Sequence, residues 1–487
     1  MKHLLFAMMA VVISVAGVNA QDYSQYYTDL PVQLKQVQAV VIPDSKVYLK
    51  DFNAVADGKT LNTEAFKKAI SALSKKGGGH LIVTGGVWKT GPIVLKSNID
   101  LHVEKGAVIL FSEDKSLYAQ PDSKGNPKSK CDPFIRASKC ENISITGEGM
   151  IDGQGDYWRP VKKSKASDEE WARFTAMGGI VEKGIWYPFN LNNGIPNVAD
   201  NTTNQEKMRN HLISIQDSKN ILIQGITLQN SPKFHLVPSR CQNLIIDGIT
   251  VLCPWNAQNG DAIDIGNTQT VLVVNSTISC GDDGICMKGG VGEAGVAAGA
   301  NEDYLIQNNT VYRAHGGFVI GSEFCAGMKR MVVRNCRFEG TDIGLRFKSA
   351  PGRGGTCEDI YCYDIKMKDI LNEAISFETG YEDKGVVLSA TASDDKSKFY
   401  PDFCNFNFSN IVCESTKNGI KINGLKGFPV HHLVFNNVII TAKNVGYELK
   451  NVENVLISNS IVKGKKDDKI DAASCKKVVI NGVRADK

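Results

Sequence analysis

The chain has 487 residues, a formal net charge of +4 and 13 cysteines. So small a charge, with basic residues scattered in pairs instead of gathered in a tail, argues against nucleic acid as a partner. After the first twenty residues no segment carries the about 18 uninterrupted apolar residues of a spanning helix, which argues against membrane insertion. Cys-x-x-Cys metal spacing is absent, so no metal and no other cofactor is implied.

In chain order, Lys2 and His3, an apolar run from Leu4 to Val18 and the small-residue site Val18-Asn19-Ala20 read as a signal peptide over residues 1–20. The mature chain is therefore expected to be exported, periplasmic or secreted, and, with no cysteine at the cut, not lipid-anchored. Next, Thr63 is placed to cap a helix over Glu64–Lys75. Ala65, Phe66, Ala69, Ile70 and Leu73 form its apolar face, and Gly77-Gly78-Gly79 end it. This helix is expected to close the N-terminal end of the fold.

From Asn142 onward one unit recurs, Asn-apolar-x-apolar, at Asn142, Asn220, Asn243, Thr270, Asp303, Arg330, Asp359, Asn405, His431, Asn454 and Lys477. Most steps are about 23 to 33 residues, the length of a solenoid coil. Short β-branched strands punctuated by Asn and Gly bury their apolar face only by stacking, so the fold expected is all-β, a right-handed parallel β-helix with an N-terminal capping helix. Residues 21–487 are read as a single catalytic domain and a monomer, with insertions near 157–209 and 381–403. The first, rich in Trp158, Trp171, Trp186, Tyr187 and Phe189, is expected to loop over a groove. Cys253 and Cys280 occupy equivalent places in successive coils, either bridged or stacked as reduced core residues.

Between Gln258 and Lys348 four stretches share a frame, AIDIG, GICMK, GFVIG and GLRFK. Equivalent residues of stacked strands lie roughly 4.8 Å apart. Overlaying the frames puts Asp261 with Asp283, Asp282 with His315, Arg346 with His235, Asp264 and Cys286, and Lys348 with Lys288. Three carboxylates so close cannot all ionise freely, so at least one should hold a proton near neutrality. A held proton beside an ionised carboxylate suits glycosidic cleavage, and Arg346 and Lys348 suit a sugar carboxylate. The blander readings give Asp264 to a turn and Lys288 to a solvated outward face.

The strings NGDAIDI, CGDDGICMK, AHGGFVIGSE and GLRFK, in that order and spacing, resemble the signature blocks of the polygalacturonase family, glycoside hydrolase family 28. The opening DFNAVADGKTLNTEAF is similar to that of bacterial exported members. The resemblance implies Asp282 as general acid, Asp261 and Asp283 as the pair that activates water, and His315 as aid to the acid. It further implies Arg346 and Lys348 as substrate-binding and Asn259 as support of the first block. His235, read from its place alone, serves either packing or a sugar contact and joins the substrate-binding candidates. Gly260, Gly284, Ala314 and Phe347 depart from the family's usual residues. The family inverts at the anomeric carbon, whereas column spacing near 5 Å suits retention.

The partner expected is thus an acidic plant cell-wall polysaccharide or oligosaccharide containing galacturonic acid, cleaved by an exo-acting hydrolase. Three alternatives compete: a rhamnogalacturonan-directed hydrolase of the same family, a calcium-dependent pectate lyase, and a non-catalytic carbohydrate-binding β-helix. The lyase leaves the His315 block without a role. The binding protein needs no protonated carboxyl.

Overall fold

A computed structural model describes residues 21–188, 194–195, 198–381 and 398–486. The expected signal peptide, Phe189 and most of the 381–403 gap lie outside the described residues.

The repeat unit owes its form to its opening residue. Asn142, Asn220 and Asn243 have φ of 52°, 56° and 59°, a left-handed corner that Asn tolerates through local side-chain hydrogen bonds. Each amide also bonds its equivalent one coil below. Nδ2 of Asn142 donates to Asn98 at 2.8 Å, Asn220 to Asn142 at 2.9 Å and Asn243 to Asn220 at 3.0 Å. In one copy the left-handed residue is His432 and not His431, so that unit begins one residue later than expected, in step with its buried Leu433 and Phe435.

Between corners the chain runs as short strands that pair in parallel with the coil before and the coil after, building a right-handed parallel β-helix. Five strands carry the residues of interest: β1 (Leu236–Ser239), β2 (Ile263–Gly266), β3 (Ile285–Lys288), β4 (Phe318–Ile320) and β5 (Leu345–Lys348). They pair in succession, with Leu236, Ile263, Ile285, Phe318 and Leu345 in one column. All five are fully buried. That inward column fixes which residues face out, because side chains alternate along a strand and a slip of one would reverse them.

Further along, the interior turns aromatic. Phe347 stacks on Phe377 at 4.5 Å and Phe408 on Phe435 at 4.6 Å. Each buried ring contributes about 2 kcal/mol by area, and each pair about 1 more.

The N-terminal helix α1 spans Thr63–Lys75, buries the five residues foreseen and packs on the first strands. Thr63 is not its cap. Asn62 holds that position, its side chain bonding Val55, Thr60 and Lys89, while Thr63 Oγ1 accepts from the Gly91 amide at 2.7 Å. All 13 cysteines are free thiols, so Cys253 and Cys280 take the reduced, buried alternative. Residues Tyr23, Leu34 and Val37 lie across an outer sheet face and cover Ile245, Leu272, Val274, Leu305 and Val332. No helix among the described residues is long and apolar enough to cross a membrane.

The first insertion has its own structure. Val161–Lys162, Ile185–Tyr187 and Ile180–Glu182 form an antiparallel sheet. Helix α2 (Asp168–Ala176) starts at a capping box made by Ser167 and Glu170. Of the aromatic residues expected over a groove, Trp158 is instead fully buried against Tyr118 and Phe134, which roots the insertion in the core.

Candidate active site

The strand register carries two acid-bearing columns to one side of the helix. Three residues ahead of Ile285, Phe318 and Leu345 come Asp282, His315 and Asp342, and two ahead of Ile263 and Ile285 come Asp261 and Asp283. Strands β3 to β5 then present Cys286, Val319 and Arg346 outward in one column, with Asp264 and Val237 preceding them. His235 is not in that column, as the frame had suggested; it lies two residues earlier.

Asp283 is 2% exposed and meets both cations. Lys348 Nζ donates to Oδ2 at 2.7 Å and Arg346 Nη1 to Oδ1 at 3.3 Å. Burial raises its carboxyl, but Lys348 and Arg346 outweigh it and hold Asp283 well below the usual carboxylate range. Asp282 has a different partner. Its Oδ1 lies 2.9 Å from His315 Nδ1, both side chains about a quarter exposed or less. Burial again opposes, yet the His315 contact holds Asp282 below the usual range.

The proton expected among the three sits elsewhere. Burial, reinforced by Asp282, Asp264 and Asp283, pushes Asp261 well above the usual range, and its Oδ1 has no hydrogen-bond partner. Asp264 does not serve a turn. It lies inside β2, 2% exposed, and apart from the neighbouring Asp261 carboxyl neither oxygen has a hydrogen-bond partner. Burial pushes it up to about 6 against the pull of Lys288, 3.9 Å away. Lys288 in turn is not a solvated outward residue: its ammonium donates to the Gly321 carbonyl at 2.7 Å and lies 3.8 Å from Glu323.

His235 is the site residue that the structure removes from the sugar-facing set. It is fully buried; Nδ1 donates to the Asp261 carbonyl at 2.8 Å and Nε2 accepts from the Ser231 amide at 3.2 Å. Burial lowers its imidazole to about 4, so it stays neutral and holds the backbone that carries Asp261. Asn259 sits at a left-handed corner and accepts from Arg209 Nη2 at 2.9 Å, a guanidinium that also donates to the Gln258 carbonyl. Gly284 departs from the family pattern for a local reason. A Cβ there would come within 3.0 Å of the Gly316 and Gly317 carbonyl oxygens, so this backbone has no room for a cysteine.

Two contributors are missing from the set expected from the sequence. Asp342 lies in the same column as Asp282 and His315, with Oδ2 3.7 Å from His315 Nε2; the frame ahead of Leu345 would have revealed it. Lys165, from the first insertion, places Nζ 2.8 Å from His315 Nε2, 2.8 Å from the Gly281 carbonyl and 4.8 Å over the Trp255 ring. No periodicity marks a residue that arrives from outside the coils.

Together these groups set a reachable carboxyl–imidazole pair beside two buried carboxyls of opposite charge state, with Arg346 17% exposed at the rim. That arrangement can deliver a proton to one side of a bond and accept one on the other. Comparison with known proteins agrees. The exo-poly-alpha-D-galacturonosidase of Dickeya chrysanthemi is 27% identical over 415 residues, 80% of this chain and 67% of that protein. An endo-polygalacturonase of Pectobacterium parmentieri is 28% identical over 371 residues, 75% of this chain and 80% of that protein. The solved exopolygalacturonase of Thermotoga maritima is 27% identical, with a TM-score of 0.66 over 93% of this chain and 95% of that one. The model of glycosyl hydrolases family 28 matches residues 195–460, more than half of the chain, so the protein belongs to that family and is a glycoside hydrolase.

Proposed function

We propose that residues 21–487 act as one exported catalytic domain. It hydrolyses the α-glycosidic bond of galacturonic acid units in pectin-type polysaccharides or oligosaccharides, from a chain end and with inversion. The observation that carries this reading is the division of labour among the carboxyls. Asp282 is reachable and paired with His315, while Asp283 is buried on two cations beside Asp261, whose carboxyl burial pushes well above the usual range.

Asp282 donates its proton to the glycosidic oxygen as the bond to the anomeric carbon breaks. A water held by Asp261 and Asp283 attacks that carbon from the opposite face, and its proton passes to Asp283. The free site holds Asp282 and Asp283 ionised, and substrate changes both. A sugar in the groove removes water from Asp282 and brings a carboxylate charge near it, each of which raises its affinity for a proton. A sugar carboxylate that draws on Arg346 and Lys348 relaxes their hold on Asp283, which strengthens it as a base.

The insertion supports chain-end action, because it carries a side chain from outside the coils, Lys165, up against His315. The likeness to exo-acting relatives supports it as well. The test is a time course on trigalacturonate and polygalacturonate, with and without chelator, following product size and the anomer first released by NMR. Monomer from the outset, saturated and of the β-anomer, is expected. Mixed oligomers would make the enzyme endo-acting, an α-anomer would make it retaining, and an unsaturated chelator-sensitive product would overturn hydrolysis itself.

A further inference from the structure

The imidazole of His315 links Asp282 to the first insertion, and the groups that face it fix its proton. Nδ1 lies 2.9 Å from Asp282 Oδ1 and Nε2 lies 2.8 Å from Lys165 Nζ. A protonated ammonium donates and never accepts. Nε2 must then offer its lone pair, and the single proton of a neutral ring sits on Nδ1, pointing at Asp282. The ring's own place is fixed further by Trp255, edge-on at 5.7 Å, whose face also receives Lys165 at 4.8 Å.

The charges around the ring come from the coils on either side of it and from the insertion. Asp342 is 3.7 Å from Nε2, Asp282 and Asp283 lie in the coil before, and Arg346 stands beside the backbone at Gly316. On the insertion side Lys162 adds to the positive field of Lys165. The carboxylates alone would favour an imidazolium. That state would lock Asp282 as an anion and leave no proton on the acid that cleavage needs.

We propose that Lys165 is a positioning residue for catalysis, holding His315 uncharged with Nδ1–H toward Asp282, so that, once substrate has raised the proton affinity of Asp282, a proton entering the pair resides on the carboxyl and not on the ring. An imidazolium would need a proton on Nε2, where the Lys165 ammonium already sits at hydrogen-bond distance, so ring protonation meets both a lost hydrogen bond and like charge. The same contact makes the insertion a condition of activity: the coils supply Asp282 and His315, and a segment outside them sets which of the two carries the proton. This role for Lys165 rests on Asp282 being the acid.

The experiment compares the native chain with Lys165→Met, Lys165→Gln and Lys165→Arg. It measures kcat and KM on trigalacturonate across pH, and the His315 ring by ¹⁵N NMR of histidine-labelled protein. For Lys165→Met we expect kcat to fall about tenfold or more with KM within about twofold. The His315 ring should also become protonated at a pH higher by at least about one unit. Lys165→Arg should restore most of kcat. Lys165→Gln, which can still donate to Nε2 but carries no charge, should show the raised ring titration, and it supplies the reading if the Met variant does not fold. An unmoved ring titration and pH profile would overturn the inference, as would a loss confined to KM, which would make Lys165 a substrate contact. Asp282→Asn separates the two levels. If that variant keeps turnover, the acid assignment has failed; if it is dead while Lys165→Met behaves as native, only the role of Lys165 has.

Discussion

Replacing Asp264 by Asn removes a carboxyl that is buried inside β2 and has no hydrogen-bond partner apart from the neighbouring Asp261 carboxyl. In the folded chain burial pushes it up to about 6, whereas an unfolded Asp titrates near about 3.9. A raised carboxyl favours the fold while both states are protonated, and that advantage is lost as pH rises through the folded value. Between pH 4 and pH 8 the ionisation of this one group therefore removes roughly 2 kcal/mol of stability. Asn keeps the shape and carries no charge, and Lys288 retains the Gly321 carbonyl. Because Asp261 titrates with Asp264 as neighbours, the measured change belongs to the pair. Urea unfolding followed by tryptophan fluorescence at pH 4, 6 and 8 should show Asp264→Asn gaining on the native chain by that amount as pH rises. Parallel stability curves for the two proteins would refute the burial argument.

Lys348→Met leaves the Asp283 carboxylate buried with Arg346 in contact and Lys288 farther off, and should cost about 3–5 kcal/mol. Adding Asp283→Asn should recover at least half of that loss in the same unfolding assay, because the stranded charge is gone. Arg346→Ala should raise KM for galacturonate oligomers about tenfold, and Arg346→Lys should not restore it, since the planar two-point donor is lost. A binding isotherm with an uncharged oligosaccharide should be unaffected by either change at Arg346.

The solenoid is legible because its signal repeats. Asn142, Asn220 and Asn243 each mark a left-handed corner and each bonds the next, so local preference and stacking point the same way. The acidic cluster is legible for the same reason: one frame carries Asp282, His315 and Arg346 through successive coils. Alternation says only which way a side chain starts, however, and not whether it ends in water. Asp264 and Lys288 read as turn and solvent residues in the sequence, yet Asp264 is buried inside its strand and the Lys288 ammonium is tied to the Gly321 carbonyl. Of the two readings open for His235, packing or a sugar contact, the structure takes the first, its ring spent on backbone groups. Trp158 shows the same limit in reverse, since an aromatic residue in an insertion can serve the core. Lys165 is invisible because a contact between a 157–209 insertion and a coil residue 150 positions away leaves no spacing to count.

The most direct test of the account is turnover of polygalacturonate by Asp282→Asn alongside binding of a galacturonate oligosaccharide. The account predicts that the native chain releases saturated galacturonic acid, and that the variant binds with little change while its turnover falls by about three orders of magnitude or more. Turnover within about tenfold of native would contradict it, placing the proton donor elsewhere among the carboxyls, with Asp261 the first to examine.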